Sequence, residues 1–147
     1  MIYCDTSFLA SLYVTVDVNH GVAAKAASRF VAAMPYTHLV ELELINALRR
    51  LLMAGKVPEA EVNAMLSQIE RDVRDGFLER KVLNQTALYR EALDISERRI
   101  ALAARSLDIL HVAAARLLGA GGFASFDTRQ RSLAKAEGFS LVPSRIS

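Results

Sequence analysis

Two aspartates each follow a short apolar run, one near each end of the chain. Asp5 comes after residues 1–4, and Asp127 comes after residues 123–126. Such runs predict buried strands, and ligands of open parallel sheets bind just beyond the carboxyl ends of the strands. Two carboxylates delivered there can converge on one cation. Each aspartate also starts a predicted helix, so either one taken singly is equally well explained as an N-cap.

A third aspartate lies in a strongly apolar helical segment. Asp108 stands in the run S-L-D-I-L-H-V-A-A-A, where a carboxylate is costly unless it is paired or bound to a metal. A position near a helix start also suits an aspartate because of the helix dipole. His111 lies three residues on and shares its face. This histidine could orient Asp108, contact a substrate or be an ordinary structural histidine.

Two glutamates occur in the apolar helical segment H-L-V-E-L-E-L-I-N-A-L. Glu41 and Glu43 are two residues apart, so they point in different directions on a helix. Only one of them can face a given site. Apolar residues flank both, and the periodicity leaves the choice open.

Convergent carboxylates predict a hard divalent cation. Magnesium prefers oxygen ligands and retains bound waters, so a few carboxylates around a cleft suffice. A pair of such ions, about 4 Å apart, can activate a water and stabilise the leaving oxygen in phosphodiester cleavage. Without a cation, clustered carboxylates repel each other and their pKa values rise. The acids therefore predict metal dependence.

The elements that must position these acids alternate between strands and helices. The predicted strands occupy residues 1–4, 77–83, 123–126 and 139–142, and residues 35–38 are predicted to be an extended connection. The predicted helices occupy residues 8–14, 22–33, 39–54, 58–75, 85 to the low nineties, 96–104, 107–118 and 128–136. This order predicts an α/β fold with a short, largely parallel central sheet flanked by helices, in one domain over residues 1–147.

Composition narrows the class of protein. The 147 residues are 52% hydrophobic and 23% charged, which is typical of a globular chain with its own core. Cys4 is the single cysteine, which excludes an internal disulfide or a thiolate zinc cluster and favours a buried structural thiol. The net charge of +2 does not by itself identify a nucleic-acid binder. With neither a signal-peptide pattern nor a membrane-spanning stretch, we expect a cytoplasmic protein without membrane contact.

Four motifs, taken together and in order, resemble the PIN-domain family. They are Y-C-D-T-S-F-L, L-E-L-I-N-A-L, S-L-D-I-L-H-V-A-A-A and F-A-S-F-D-T-R-Q-R-S-L-A. Across nearly the whole chain, their order and spacing are similar to the VapC-like toxins of bacterial toxin–antitoxin pairs. The resemblance implies a PIN-like fold and a metal-dependent endoribonuclease.

The resemblance also implies the site residues. Asp5, Glu43, Asp108 and Asp127 match the family's acids, so they would be catalytic and hold Mg²⁺ or Mn²⁺, with Asp127 helping directly or through water. Glu41 is the alternative to Glu43. The ion would activate a water that attacks the RNA phosphodiester bond.

Further residues are weaker candidates. Ser7 and Ser125 occupy supporting positions beside the first and fourth acids, and both suit ordinary cap or strand residues equally well. Arginines near the motifs could meet RNA phosphates, although any one of them is equally a solvated surface residue. These arginines are Arg49, Arg50, Arg105, Arg129 and Arg131. The resemblance further implies a homodimer and a cognate antitoxin that blocks the acidic groove.

Two other functions compete with this interpretation. A catalytically silent PIN-like module would bind RNA or protein without cutting, and stabilisation by magnesium or manganese would argue against it. A haloacid-dehalogenase-like phosphatase would need a second aspartate two residues after the first, where this chain has Ser7. We therefore do not favour the phosphatase.

Overall fold

The computed structural model describes residues 1–146, which form strands and helices in alternation. The strands are β1 (Ile2–Cys4), β2 (Met34–Thr37), β3 (Leu78–Lys81), β4 (Gly122–Ala124) and β5 (Ser140–Val142). The helices are α1 (Thr6–Tyr13), α2 (His20–Ala27), α3 (His38–Met53), α4 (Glu59–Arg74), α5 (Gln85–Arg98), α6 (Ser106–Leu117) and α7 (Thr128–Ala136), with a 3-10 turn at Ile100–Leu102. No helix within residues 1–146 has the length and apolarity needed to cross a bilayer.

Every strand pairing is parallel. Strand β4 lies between β1 and β5, with Tyr3 opposite Phe123 and Phe123 opposite Leu141, while β2 pairs with β3. Strand β2 also lies beside β1. The strands thus form a three-stranded sheet, β1-β4-β5, beside a two-stranded sheet, β2-β3, and parallel pairing brings the carboxyl ends to one edge within each sheet, as the predicted α/β fold requires.

Aromatic side chains fill the core between this sheet and the helices. Tyr3 stacks on Phe123, and Phe8 of α1 stacks on both Phe30 and Phe126. Tyr3, Phe8 and Phe123 are fully buried. Each such ring removes a large apolar area from water, which fixes β1, β4 and α1 relative to one another.

Helix N-termini line the carboxyl edge of the sheet. The side chains of Asp5, Thr37 and Asp127 cap α1, α3 and α7 by accepting hydrogen bonds from backbone N–H groups in the first turn of each helix. The partial positive charge of a helix N-terminus favours nearby carboxylates. The fold thus places acids and helix N-termini at the same edge.

The prediction for residues 35–38 was wrong, because this segment contains most of a buried strand. All four residues of β2 are buried, and the strand pairs in parallel with β3 through the register Met34 to Leu78. Proline lacks the N–H that a strand ladder uses, so Pro35 made the segment look like a connection. Burial against the core outweighs that local preference.

Two helix boundaries also differ from the prediction. Helix α2 stops at Ala27, not residue 33, because the chain turns tightly there: the N–H groups of Arg29 and Phe30 donate to Ala26 and Ala27. That turn carries Phe30 onto Phe8. The predicted helix at residues 96–104 is instead the end of α5 followed by the 3-10 turn, and the backbone breaks at Ala103 with φ of 46°.

Candidate active site

Asp5 is a buried carboxylate at the end of β1. It is only 4% exposed, and its Oδ1 accepts hydrogen bonds from the Ser7 hydroxyl at 2.7 Å and the Phe8 N–H at 2.9 Å. Burial raises the pKa of Asp5, and the neighbouring His111, followed by hydrogen bonds from Ser125, Phe8 and Ser7, offsets that rise only in part. A carboxylate with a raised pKa in a buried position is a candidate functional group.

Glu43, not Glu41, faces Asp5's edge of the sheet. Its Oε2 accepts a hydrogen bond from the Thr6 hydroxyl at 2.7 Å and contacts Nε2 of His111. Glu41 points away and forms a bidentate ion pair with Arg80 of β3. Burial alone would raise the pKa of Glu43, but the hydrogen bond and charge of His111 and the Thr6 hydroxyl leave it below its usual value.

Both ring nitrogens of His111 have a hydrogen-bond partner, and the carboxylate it contacts is not the expected Asp108. The sequence suggested that it could orient Asp108, whereas its Nε2 contacts Glu43 and its Nδ1 lies 2.9 Å from the Tyr3 hydroxyl. Burial raises the pKa of Tyr3, so its phenol stays protonated, and the two ring nitrogens of His111 are each engaged, Nδ1 by Tyr3 and Nε2 by the Glu43 carboxylate. His111 therefore orients Glu43.

Asp108 and Asp127 are brought together by Arg105. The guanidinium donates to Asp108 through Nε at 3.0 Å and Nη2 at 3.4 Å, and Nη2 reaches Oδ2 of Asp127 at 3.5 Å. Asp108 is 8% exposed, and Asp127 uses its Oδ1 to cap α7 through the N–H groups of Arg129 and Gln130. Asp127 thus acts as a cap and also faces the site.

Ser7 and Ser125 connect the two strand ends that carry Asp5 and Asp127. Their hydroxyl oxygens are 3.3 Å apart. The Phe126 N–H donates to Ser7, and the Asp127 N–H donates to Ser125. Both serines therefore fix the loop that presents the first and fourth acids.

The candidate arginines fall into two groups. Arg131 is buried, and its guanidinium donates to four backbone carbonyls, at Ser125, Val142, Pro143 and Ser144. The suggestion that it meets RNA was therefore wrong, because its donors hold the end of β5 against β4. The side chains that remain exposed are Arg49, Arg50, Arg105 and Arg129.

Three contributors to the site were not predicted. Tyr3 and Thr6 orient the His111 and Glu43 pair, and the fully buried Gln130 donates to the Asp108 carbonyl at 3.0 Å. Tyr3 lies two residues before Asp5 and Thr6 follows Asp5 directly, and this closeness in sequence is a weak sign that they could reach the same edge. No pattern in the sequence indicates the role of Gln130. Cys4 is buried as predicted, and burial raises the pKa of its thiol.

The donor set fits a hydrated divalent ion. Within residues 1–146, no group of three or more Asp, Glu, His or Cys side chains is arranged to hold a metal ion directly. Magnesium, however, keeps several waters and is usually bound through one or two carboxylates. Both contacts of Glu43 end on its Oε2, which leaves Oε1 for a hard cation, and the hydrogen bonds that Asp5 accepts from Ser7 and Phe8 end on its Oδ1.

This fold and this acidic edge define the class of protein. The family model of the PIN domain matches residues 2–136. The chain belongs to the PIN-domain family.

A solved structure shares the same fold. VapC20 of Mycobacterium tuberculosis, described as a toxin that cleaves the sarcin–ricin loop, aligns with a TM-score of 0.70 and 21% sequence identity, over 95% of this chain and 96% of that chain. A comparison with curated protein sequences finds no match.

Proposed function

We propose that this chain is a metal-dependent endoribonuclease that acts in the cytoplasm as the toxin of a toxin–antitoxin pair. Asp5, Glu43, Asp108 and Asp127 would hold Mg²⁺ or Mn²⁺. Membership of the PIN-domain family supports a nuclease, and the fold shared with an RNA-cleaving toxin supports RNA as the substrate.

One observation carries the proposal: carboxylates from four separate parts of the chain are gathered at the carboxyl edge of a parallel sheet. Asp5 is buried there, and burial raises its pKa because the charged carboxylate is less stable out of water. A protein that needed only helix caps would use exposed aspartates, because an exposed cap has no such cost. A divalent cation would compensate this concentration of negative charge.

The chain's own residues prepare the site. Ser7 and the Phe8 N–H fix the Asp5 carboxylate, while His111 and Thr6 fix Glu43. When bound, the divalent ion would supply water activation and neutralisation of charge on the phosphate. Fixed carboxylates lose little entropy when they bind such an ion, which is the benefit of a preorganised site.

RNA would approach the exposed side of this edge. Arg129 stands in the first turn of α7 beside Asp127 with its side chain in solvent. Contacts between arginine and phosphate supply affinity that is independent of sequence. Since the chain's net charge is only +2, we expect local contacts at the site to matter more than a broad basic surface.

A cleavage assay tests the proposal. Purified protein, free of any copurified antitoxin, is incubated with total RNA and with intact ribosomes, in Mg²⁺, in Mn²⁺ and in a chelator. We expect discrete products that disappear with the chelator. The Asp5→Asn and Glu43→Gln variants should lose on the order of 100-fold or more of the activity, since even partners of metal ligands typically contribute about 10- to 100-fold.

Glu41→Gln is the matched control. Glu41 lies on the same helix as Glu43 but pairs with Arg80 at the surface, so its removal should leave cleavage unchanged. An equal loss of cleavage activity in the Glu41→Gln and Glu43→Gln variants would show that the loss comes from damage to α3 and not from the site. An inactive wild-type protein on every RNA, with either ion, would reject the nuclease.

A PIN fold that binds RNA or protein without cutting is the second candidate. The observation that favours it is the ion pairing of Asp108 and Asp127 with Arg105, which engages two of the four acids without a metal. RNA binding that persists in the chelator, with no cleavage under any condition, would support this alternative.

The partners belong to the same proposal. We expect a homodimer and a cognate antitoxin, and an open reading frame beside the gene would be the candidate antitoxin. Coexpression should yield a complex in which the cleavage activity is suppressed. Sedimentation of the separated toxin would report the dimer.

A further inference from the structure

Arg105 occupies oxygens that a divalent ion would need. Its guanidinium contacts both carboxylate oxygens of Asp108. On Asp127 it faces Oδ2, the oxygen left over when Oδ1 caps α7. An ion bound by either aspartate must therefore share these oxygens with Arg105 or displace it.

The side chain of Arg105 is free to move while its backbone is held. Its carbonyl accepts the Ile109 N–H at 3.1 Å, which anchors the residue at the start of α6. The side chain, in contrast, is 60% exposed. Exposed ion pairs are weak and exchange readily with water. The guanidinium can thus leave the carboxylates without disturbing the fold.

The electrostatic surroundings of Arg105 connect it with a third acid. The hydrogen bond that Arg105 donates to Asp108 is the main reason that the pKa of Arg105 is raised, and the charges of Asp108, Asp127 and Glu43 add to it. Three of the four acids of the site therefore stabilise this one cation.

We propose that Arg105 is a built-in counter-ion of the acidic site, which competes with the divalent metal for Asp108 and Asp127. This inference rests on the proposed function, because it concerns the same metal. In the metal-free protein Arg105 holds the two aspartates together. When an ion binds, the guanidinium is released beside the site, where it is placed to contact a phosphate of the RNA.

Calorimetric titration of Mn²⁺ into the full chain at an ionic strength of about 0.15 M, where distant surface charges are screened, tests this competition without using enzyme activity. Arg105→Gln should bind Mn²⁺ about threefold to fivefold more tightly than the wild type, the range expected for removal of an exposed ion pair. Arg105→Lys should fall between them, because lysine keeps the charge but lacks the planar fork that engages both aspartates.

Arg129→Gln is the matched control for a change in the general electrostatic field. Arg129 is an exposed arginine at the same edge, and its backbone N–H, which caps onto Asp127, is unaffected by the substitution. The affinity of the Arg129→Gln variant for Mn²⁺ should stay within about twofold of that of the wild type, since exposed charges contribute little at a distance. Equal tightening in both variants would overturn the proposal in favour of a long-range effect.

The remaining outcomes separate this inference from the proposed function. Equal or weaker binding by Arg105→Gln would overturn the competition while leaving the metal site intact. Binding by Arg105→Gln but not by the wild type would support competition in its strongest form. If neither the wild type nor Arg105→Gln binds Mn²⁺, and the variant melts as the wild type does, the metal-dependent function and this inference fail together.

Discussion

Replacing Asp5 by asparagine should stabilise the metal-free protein while lowering the proposed nuclease activity. The carboxylate is 4% exposed, and burial raises its pKa, which means that the charged form costs free energy in the folded state. Asparagine keeps an oxygen that can accept the hydrogen bonds from Ser7 and Phe8. The substitution therefore removes the buried charge and retains the N-cap of α1.

The change in the free energy of unfolding caused by Asp5→Asn follows from the interactions that the substitution removes and those that it keeps. The two hydrogen bonds and the shape of the side chain are preserved, so the net effect is the desolvation cost of the charge minus the cost of placing the new amide N–H₂. Relief of such a cost at a functional site commonly yields about 0.5–2 kcal/mol. We expect about 1 kcal/mol, which corresponds to a rise of about 3–5 °C in the melting temperature of a chain of this size.

Asp127→Asn provides a control of opposite sign. The side chain of Asp127 is 37% exposed and contacts Arg105, and asparagine caps a helix about as well as aspartate. Only a surface ion pair and an interaction with the α7 dipole are lost. We expect a destabilisation of about 0.5 kcal/mol.

Urea unfolding in the presence of a chelator measures both variants. The difference between the two free energies of unfolding should be about 1.5 kcal/mol, with Asp5→Asn the more stable. A loss of 1 kcal/mol or more in Asp5→Asn would refute the reasoning, because it would mean that His111 and the α1 N-terminus already compensate the buried charge. When the chelator is replaced by Mn²⁺, the ion should raise the free energy of unfolding of the wild type but not that of Asp5→Asn.

Two further predictions concern structural contacts of arginines away from the four acids of the site. Arg98 and, after it, Arg99 lower the pKa of the buried Glu137 to about 2, so its contribution is present above its ordinary pKa of 4.5 and is lost as the pH falls from there towards 2. Glu137→Gln should cost about 1–2 kcal/mol at pH 7, after allowance for its partly exposed partners, and urea unfolding of variant and wild type should converge near pH 2. Arg131→Met should lower the free energy of unfolding by about 2–4 kcal/mol because carbonyls such as that of Ser125 lose their donor; unchanged RNA binding by the folded variant, measured by filter retention, would agree with its structural role.

The strand–Asp–helix arrangement explains why much of the site could be predicted. An apolar run that ends in an acid locates the end of a buried strand, and parallel strands bring such ends to one edge. Asp5 and Asp127 follow from this rule, and the strand and helix alternation follows with them. Asp108 follows from a different signal, the cost of a carboxylate in an apolar helix.

The pairing of side chains within the site could not be predicted in the same way. Glu41 and Glu43 have indistinguishable apolar neighbours in sequence, and the choice between them depends on where α6 carries His111. Arg131 and Arg129 look alike in sequence, yet burial turns one into a donor to backbone carbonyls and leaves the other in solvent. Both distinctions depend on contacts between residues far apart in the chain, which local patterns do not encode.

The fold supplies positive charge at the acidic edge, which offsets part of the free-energy cost of placing carboxylates there. The α1 and α7 N-termini are capped by Asp5 and Asp127 themselves, and Asp108 stands in the first turn of α6, so three acids interact favourably with helix dipoles. His111 contacts the Glu43 carboxylate, and Arg105 donates to the Asp108 carboxylate. The dipoles are fixed parts of the backbone, whereas Arg105 is exposed and exchangeable. A divalent ion can therefore replace that arginine without loss of the compensation that keeps the edge folded.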